Sequence, residues 1–266
     1  MNADRIRTLL RKEFLDLARN RTVLLPVAIV TVMSLALPFG VAVAVPAFFG
    51  RSLGEDAALV RISAVANAPD VLSNEGRVQL FLFEQFLVLF LLTPITGAMT
   101  LAAHSVVGEK QSRALEPLLA TPITTLELLA VKVFGALIPT FVISLAGLGL
   151  YGGGILLVAA PGVAGALSNA RTWLLVLWLG PTAALVALQS AVLISSRVND
   201  PRTAQQWGVL IITPLMGLFV AQLTGSFWFT ARVLAAMGAG LLVVWAFMLL
   251  LSAALFERET ILTRWQ

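Results

Sequence analysis

The sequence predicts an all-α membrane protein: six transmembrane helices, an amphipathic helix ahead of the first, and a short cytoplasmic helix between the second and third. Composition is the first reason. Of 266 residues, 59% are hydrophobic and 12% charged, whereas soluble domains carry about 25% charged residues; the mean hydropathy is +0.93. Six apolar stretches are the second, at about 23–48, 80–103, 128–151, 172–195, 207–225 and 230–256. Each approaches the roughly 20 residues needed to cross a hydrocarbon core of about 30 Å. The third is that the charges gather in the separators. At 28.4 kDa the chain holds one transmembrane domain and little else. It divides into an interfacial helix (1–22), a membrane domain (23–256) and a cytoplasmic tail (257–266).

Within 1–22, Ile6, Leu9, Leu10, Phe14 and Leu17 recur at helical spacing with charges between them, the pattern of an amphipathic helix. Such a helix lies at the lipid interface, held by acidic headgroups, and can also touch a cytoplasmic partner. The apolar run that follows is too long for the core of a cleavable signal, so the first span is expected to stay. Pro26, Pro38 and Pro46 fall in that span and predict a kink or an irregular outer end. The loop at 49–79 reads as one or two short helices on the outer face, broken at Ala68-Pro69-Asp70. Phe81, Phe83, Phe86 and Phe90 stripe the second span, either as packing or as the lining of an apolar path. Pro139 falls inside the third. Gly152-Gly153-Gly154 and Pro161-Gly162 make 152–171 a loop that re-enters the interface or flexes. Gln189 in the fourth span reads as a hydrogen-bonding contact between helices. The fifth is short and interrupted by Pro214 and Gly217. Trp173, Trp178, Trp207, Trp228 and Trp265 read as interfacial anchors.

Lys and Arg placement orients the chain. The N-terminal segment, 104–132, the fourth connector and the tail together hold 13 of the 18, and the opposite side holds Arg51, Arg61, Arg77, Arg171 and Arg232. The positive-inside rule puts both termini in the cytoplasm of a multi-pass protein of the cell (inner or plasma) membrane. The net charge of +4 is spread over these flanks and forms no single basic face, so nucleic acid is not an expected partner; membrane lipids are.

Few catalytic routes survive. With no Cys and one His (His104), disulfides, thiol nucleophiles and Cys-ligated zinc are excluded, and no metal site is expected. No G-x-x-x-x-G-K-[ST] loop occurs, nor any G-x-S-x-G. The chain therefore reads as a non-enzyme. Inside the apolar stretches, Glu84 beside Gln85 stands out, because a carboxylate there costs a few kcal/mol unless paired, protonated or hydrated. Glu84, Gln85, Phe86 and Gln189 are candidates for a cargo path. The favoured reading of Glu84 is a residue near the outer interface paired with Arg77 or a neighbouring subunit.

The most informative segment joins the second and third spans. On pattern alone, residues 105–116 read either as an amphipathic loop resting on lipid headgroups or as a short helix with Glu109, Lys110 and Arg113 directed to the cytoplasm. Pro117 starts a new turn, Thr121-Pro122 ends it, and Thr124 or Thr125 caps the next helix with Glu127 in its first turn. His104-Ser105-Val106-Val107-Gly108-Glu109-Lys110 followed by Leu115-Glu116-Pro117-Leu118-Leu119-Ala120-Thr121-Pro122-Ile123 resembles the signature of type-2 ABC transporter permeases. Lys132 matches the lysine that opens the next helix in that family. Arg11-Lys12-Glu13-Phe14 with Arg19-Asn20-Arg21 resembles its N-terminal helix, and Ser195-Ser196-Arg197 with Pro201 to Gln206 its second cytoplasmic loop. The usual Gly-Thr before Leu-Glu is Arg113-Ala114 here, and Pro117 is unusual.

The resemblance implies a permease subunit working as a homodimer or heterodimer of permease copies with separate ATP-binding cassette subunits, which would carry the ATP and Mg; this chain itself would hold no cofactor. It implies export of a hydrophobic or amphipathic cargo. Glu109, Lys110, Arg113, Leu115, Glu116, Leu118 and Thr121 would form a coupling helix seated on the ATPase, with Arg197 and Arg202 making secondary contacts. Two other classes remain open: a non-transporting scaffold or sensor coupled to an ATPase, and an intramembrane transferase. The transferase predicts acidic groups and His clustered at one membrane face, and this chain scatters them.

Overall fold

The computed structural model describes residues 3–64, 68–111, 125–197, 206, 209–224 and 228–255. Among them every regular element is helical. In chain order the α-helices are α1 (Ala3–Arg19), α2 (Arg21–Phe39), α3 (Val45–Phe49), α4 (Ala57–Ser63), α5 (Asn74–Phe90), α6 (Leu92–Gln111), α7 (Thr125–Val158), α8 (Val163–Leu167), α9 (Ala170–Leu174), α10 (Gly180–Arg197), α11 (Val209–Leu223) and α12 (Ala231–Leu255), with a 3-10 turn at Leu53–Glu55. Among the described residues, five stretches are long and apolar enough to cross a membrane: Leu24–Phe49, Asn74–Ser105, Ala130–Val158, Ala170–Ser195 and Ala231–Ser252. Within the remaining predicted span, 207–225, the described helix is α11, with 15 residues.

The helical hydrogen-bond pattern changes ahead of Pro46, Pro94 and Pro181, whereas Pro26, Pro38 and Pro139 lie inside continuous α-helices. Pro94 has no N–H for the carbonyl of Phe90, and the chain breaks there: Leu91 N–H turns to the carbonyl of Val88 at 3.2 Å, and α6 resumes with Ile95 N–H on Leu91 at 3.3 Å. Two π-helical stretches, Gly40–Ala44 and Leu175–Leu179, sit at the same spacing ahead of Pro46 and Pro181. In each, the residue just before the proline donates five residues back, Val45 to Gly40 and Gly180 to Leu175. The wider turn relieves the clash of the ring with the carbonyl four residues earlier. The expected irregular end of the first span is thus a π stretch, followed by α3 and a left-handed Gly50 (φ 59°) that closes it.

Residues 152–158 correct the sequence reading. They form the last two turns of α7 rather than a loop. In lipid a helix must keep its backbone bonds satisfied internally, so Gly is tolerated there where water would unravel it. Gly154 has a packing reason as well, because a Cβ on it would stand 2.6 Å from Cζ of Phe39.

α5, α6 and α10 form the centre. α6 packs along α10, and the buried residues there are small: Ala98 and Ala102 on α6, Ala184, Ala187 and Ala191 on α10. Small side chains let backbones approach, which is how helices associate where lipid is as apolar as the side chains. α2 and α7 flank α6, α12 covers α10, α11 leans on α5, and α1 packs on α7. The outer faces of α2, α7 and α12 stay apolar and open, with Ile29 52% and Phe247 66% exposed. Phenylalanines of α5 pack against neighbouring rings: Phe83 meets Phe39 and Tyr151, Phe86 meets Phe219, and Phe81 stacks on Trp228. Trp178 also joins helices, its Nε1 donating to the carbonyl of Ala235 at 3.2 Å.

Candidate functional site

Two buried polar centres stand at opposite ends of the bundle. The first lies at the end that carries α1. Glu13 falls on the apolar face of α1, between Leu10 and Leu17 at three- and four-residue spacing, and is buried against α6 and α7. Its Oε1 meets Nζ of Lys132 (α7) at 2.6 Å, and its Oε2 accepts from Oγ of Ser105 (α6) at 2.8 Å. Lys132 Nζ also donates to the backbone carbonyl of Ser105 at 3.1 Å. The carboxylate and ammonium are thus both paired and hydrogen-bonded, the condition under which buried charges are tolerated. Gly135, one turn after Lys132, keeps α1 and α7 close, since a Cβ there would stand 3.2 Å from Glu13 Cβ. Glu13, Ser105 and Lys132, which the sequence offered only as parts of separate motifs, form one clasp.

That clasp ties α1 to the two helices that bracket residues 112–124. Arg113, Leu115, Glu116, Leu118, Thr121 and Arg202 lie outside the described residues. Glu109 and Lys110 belong by backbone to the last turn of α6, and Arg197 ends α10; their side chains also lie outside the description. Residues 105–111 therefore continue α6 rather than beginning a separate helix. Glu127 does fall in the first turn of α7, as expected.

The second centre surrounds Glu84. It is 3% exposed and pairs with Arg171, in α9, correcting the expected partner: Arg77 turns instead to Asp70 at 3.2 Å. Asn169 organises the pair. Its Oδ1 accepts from Thr172 N–H at 2.9 Å, capping α9, while its Nδ2 donates to Glu84 Oε1 at 2.9 Å. The Arg171 guanidinium carbon stands 3.9 Å from the centroid of the Trp228 ring, a cation–π contact. Trp228 in turn stacks on Phe81 at 6.0 Å between centroids. One ion pair thus joins α5, α9 and the segment leading into α12.

The other candidates join helices too. Gln85 donates to the carbonyl of Gln222 on α11 at 3.3 Å, and Gln189 Nε2 to Oγ of Ser252 on α12. Phe86 is partly buried beside Phe219. The sequence reading missed Gln79, whose Oε1 accepts from Ala160 N–H at 2.7 Å, and the hydroxyl of Tyr151, which donates to Phe83 O at 2.8 Å. Among the described residues no group of three or more His, Asp or Glu converges.

With only helices among the described residues, several of them apolar and of membrane length, and buried ion pairs joining their ends, the chain is a multi-pass membrane protein. A family model described as ABC-2 family transporter protein matches residues 7–232, and the chain belongs to that family of transporter permeases. No curated protein and no solved structure matches it.

Proposed function

We propose that the chain is the permease subunit of an ATP-binding cassette exporter for a hydrophobic or amphipathic cargo. It works beside a second permease copy, identical or related, and separate ATP-binding subunits that hold the ATP and Mg. In this reading α11 completes six spans, α1 lies at the cytoplasmic interface, and both termini face the cytoplasm. The observation that carries it is the Glu13–Lys132–Ser105 clasp. A push on 112–124 reaches α6 and α7 directly and α1 through the clasp, so nucleotide-driven closure of the ATPase tilts three helices as one body. Glu109, Lys110, Arg113 and Glu116 orient the docking segment through charge pairs, Leu115 and Leu118 anchor it, and Thr121 ends it; Arg197 and Arg202 add contacts. Glu84, Gln85, Phe86 and Gln189 border the cargo path in the state where their helices part.

The test is ATPase activity of the purified complex in vesicles of phosphatidylethanolamine and phosphatidylglycerol, titrated with amphipathic dyes and lipopeptides. Saturable stimulation by at least one compound is expected. Activity indifferent to every compound yet altered by a membrane protein partner would transfer the chain to the scaffold reading.

A further inference from the structure

We infer that the protein holds one acyl chain of a membrane phospholipid in an apolar pocket within the bundle, at mid-membrane depth. This rests on the membrane placement of the spans alone and is independent of the cargo and ATPase proposed above. The pocket has a volume of about 280 Å³. An engineered apolar void of ~150 Å³ already stays dry and admits benzene, so this one has room for a longer hydrocarbon.

Two built irregularities and a regular helix make it. One wall is Leu91 and Pro94, at the break between α5 and α6; the facing wall is Gly180 and Pro181, just past the π stretch; Ser144 and Leu145 of α7 close the third side. A Cβ on Gly180 would already touch Leu91 Cδ2 at 3.4 Å, so a larger residue there would shut the gap between the two walls. All three walls fall near the middle of their spans, Asn74–Ser105, Ala130–Val158 and Ala170–Ser195, where a bilayer offers only hydrocarbon.

The pocket opens sideways. Leu145 and Leu177, both part of its lining, are 56% and 52% exposed. No charged residue lines it. Its one hydroxyl, Ser144 Oγ, has no hydrogen-bond partner, whereas Thr140 one turn earlier donates to the carbonyl of Ala136 at 2.7 Å. Left empty, such a void forfeits the dispersion contacts of its whole lining. A phospholipid tail is the apolar molecule that reaches this depth, and its flexible end can enter between Leu145 and Leu177 while its headgroup stays at the surface.

The full chain in nanodiscs of phosphatidylethanolamine and phosphatidylglycerol, doped with phosphatidylcholine carrying a diazirine at the end of one acyl chain, provides the test. After photolysis, adducts are mapped by mass spectrometry. They are expected on Leu145, Leu177 and Pro181 several-fold above Val142 and Val243, which are exposed controls outside the pocket lining and near mid-span in their own helices. The same lipid labelled on its headgroup should leave the pocket unmarked. Ser144→Phe, which fills the pocket, should abolish the pocket adducts and spare Val243. Even labelling of all exposed positions would overturn the inference, as would an unlabelled pocket whose residues crosslink to a second copy of the chain, or a Ser144→Phe protein with an unchanged pattern. Should that variant not fold, the wild-type distribution decides alone.

Discussion

Lys132→Met is expected to loosen α1 from the bundle, at a cost of about 3–5 kcal/mol, the usual penalty for stranding one member of a buried ion pair. Without the ammonium, buried Glu13 keeps only the hydroxyl of Ser105. Ser105→Ala removes a single hydrogen bond to the carboxylate and should cost less, about 1–3 kcal/mol. The double variant Glu13→Leu, Lys132→Met should recover most of the loss, because an apolar pair of similar volume has no desolvation penalty to offset. Thermal denaturation in detergent, read with trypsin cleavage at the exposed Arg11 and Lys12 of α1, ranks these variants. A Lys132→Met protein as stable as the parent, with α1 equally protected, would show that the clasp holds nothing together.

Arg171→Met should produce the comparable effect at the opposite end. It leaves Glu84 with only the amide of Asn169 and takes the cation from the face of Trp228, again at about 3–5 kcal/mol. Glu84→Gln should be milder, since the amide still offers Arg171 an acceptor and the guanidinium keeps its contact with the ring. Assembly is therefore expected to survive Glu84→Gln while transport changes. Size-exclusion profiles and vesicle transport assays on the same preparations separate the two effects. Unchanged transport across a range of cargoes and pH values would remove Glu84 from the cycle, and a stability order with Glu84→Gln below Arg171→Met would contradict the geometry.

The helical membrane fold was legible because hydropathy is summed over whole spans, so single residues hardly matter. Their irregularities were less so. Pro94 sits in an apolar run and left no mark on that sum, yet it breaks the second span at Leu91. Gly152 to Gly154 looked like a loop by the standards of water, where Gly frays a helix; in the bundle, Gly154 is the space that Phe39 occupies. The polar centres were half legible. Glu84 announced itself as a costly carboxylate, but its partner lies 87 residues away, and Arg77, two turns back along α5, was the nearer guess. Glu13 left a signal that went unread: a carboxylate on the apolar stripe between Leu10 and Leu17 needs a buried cation. Lys132, alone in the apolar run from Leu128 to Leu137, is the matching cation 119 residues on. Spacing along one helix can flag such a residue, but only the packing of α1 on α7 brings the two together.

The central claim is that this permease answers to a separate ATPase, and purification of the tagged chain from its native membranes in mild detergent tests it most directly. An ATP-binding subunit should co-elute at a one-to-one ratio and be lost when Glu109→Lys and Arg113→Glu reverse the docking charges. Recovery of the chain by itself, with the ATPases of the extract in the flow-through, would contradict the account.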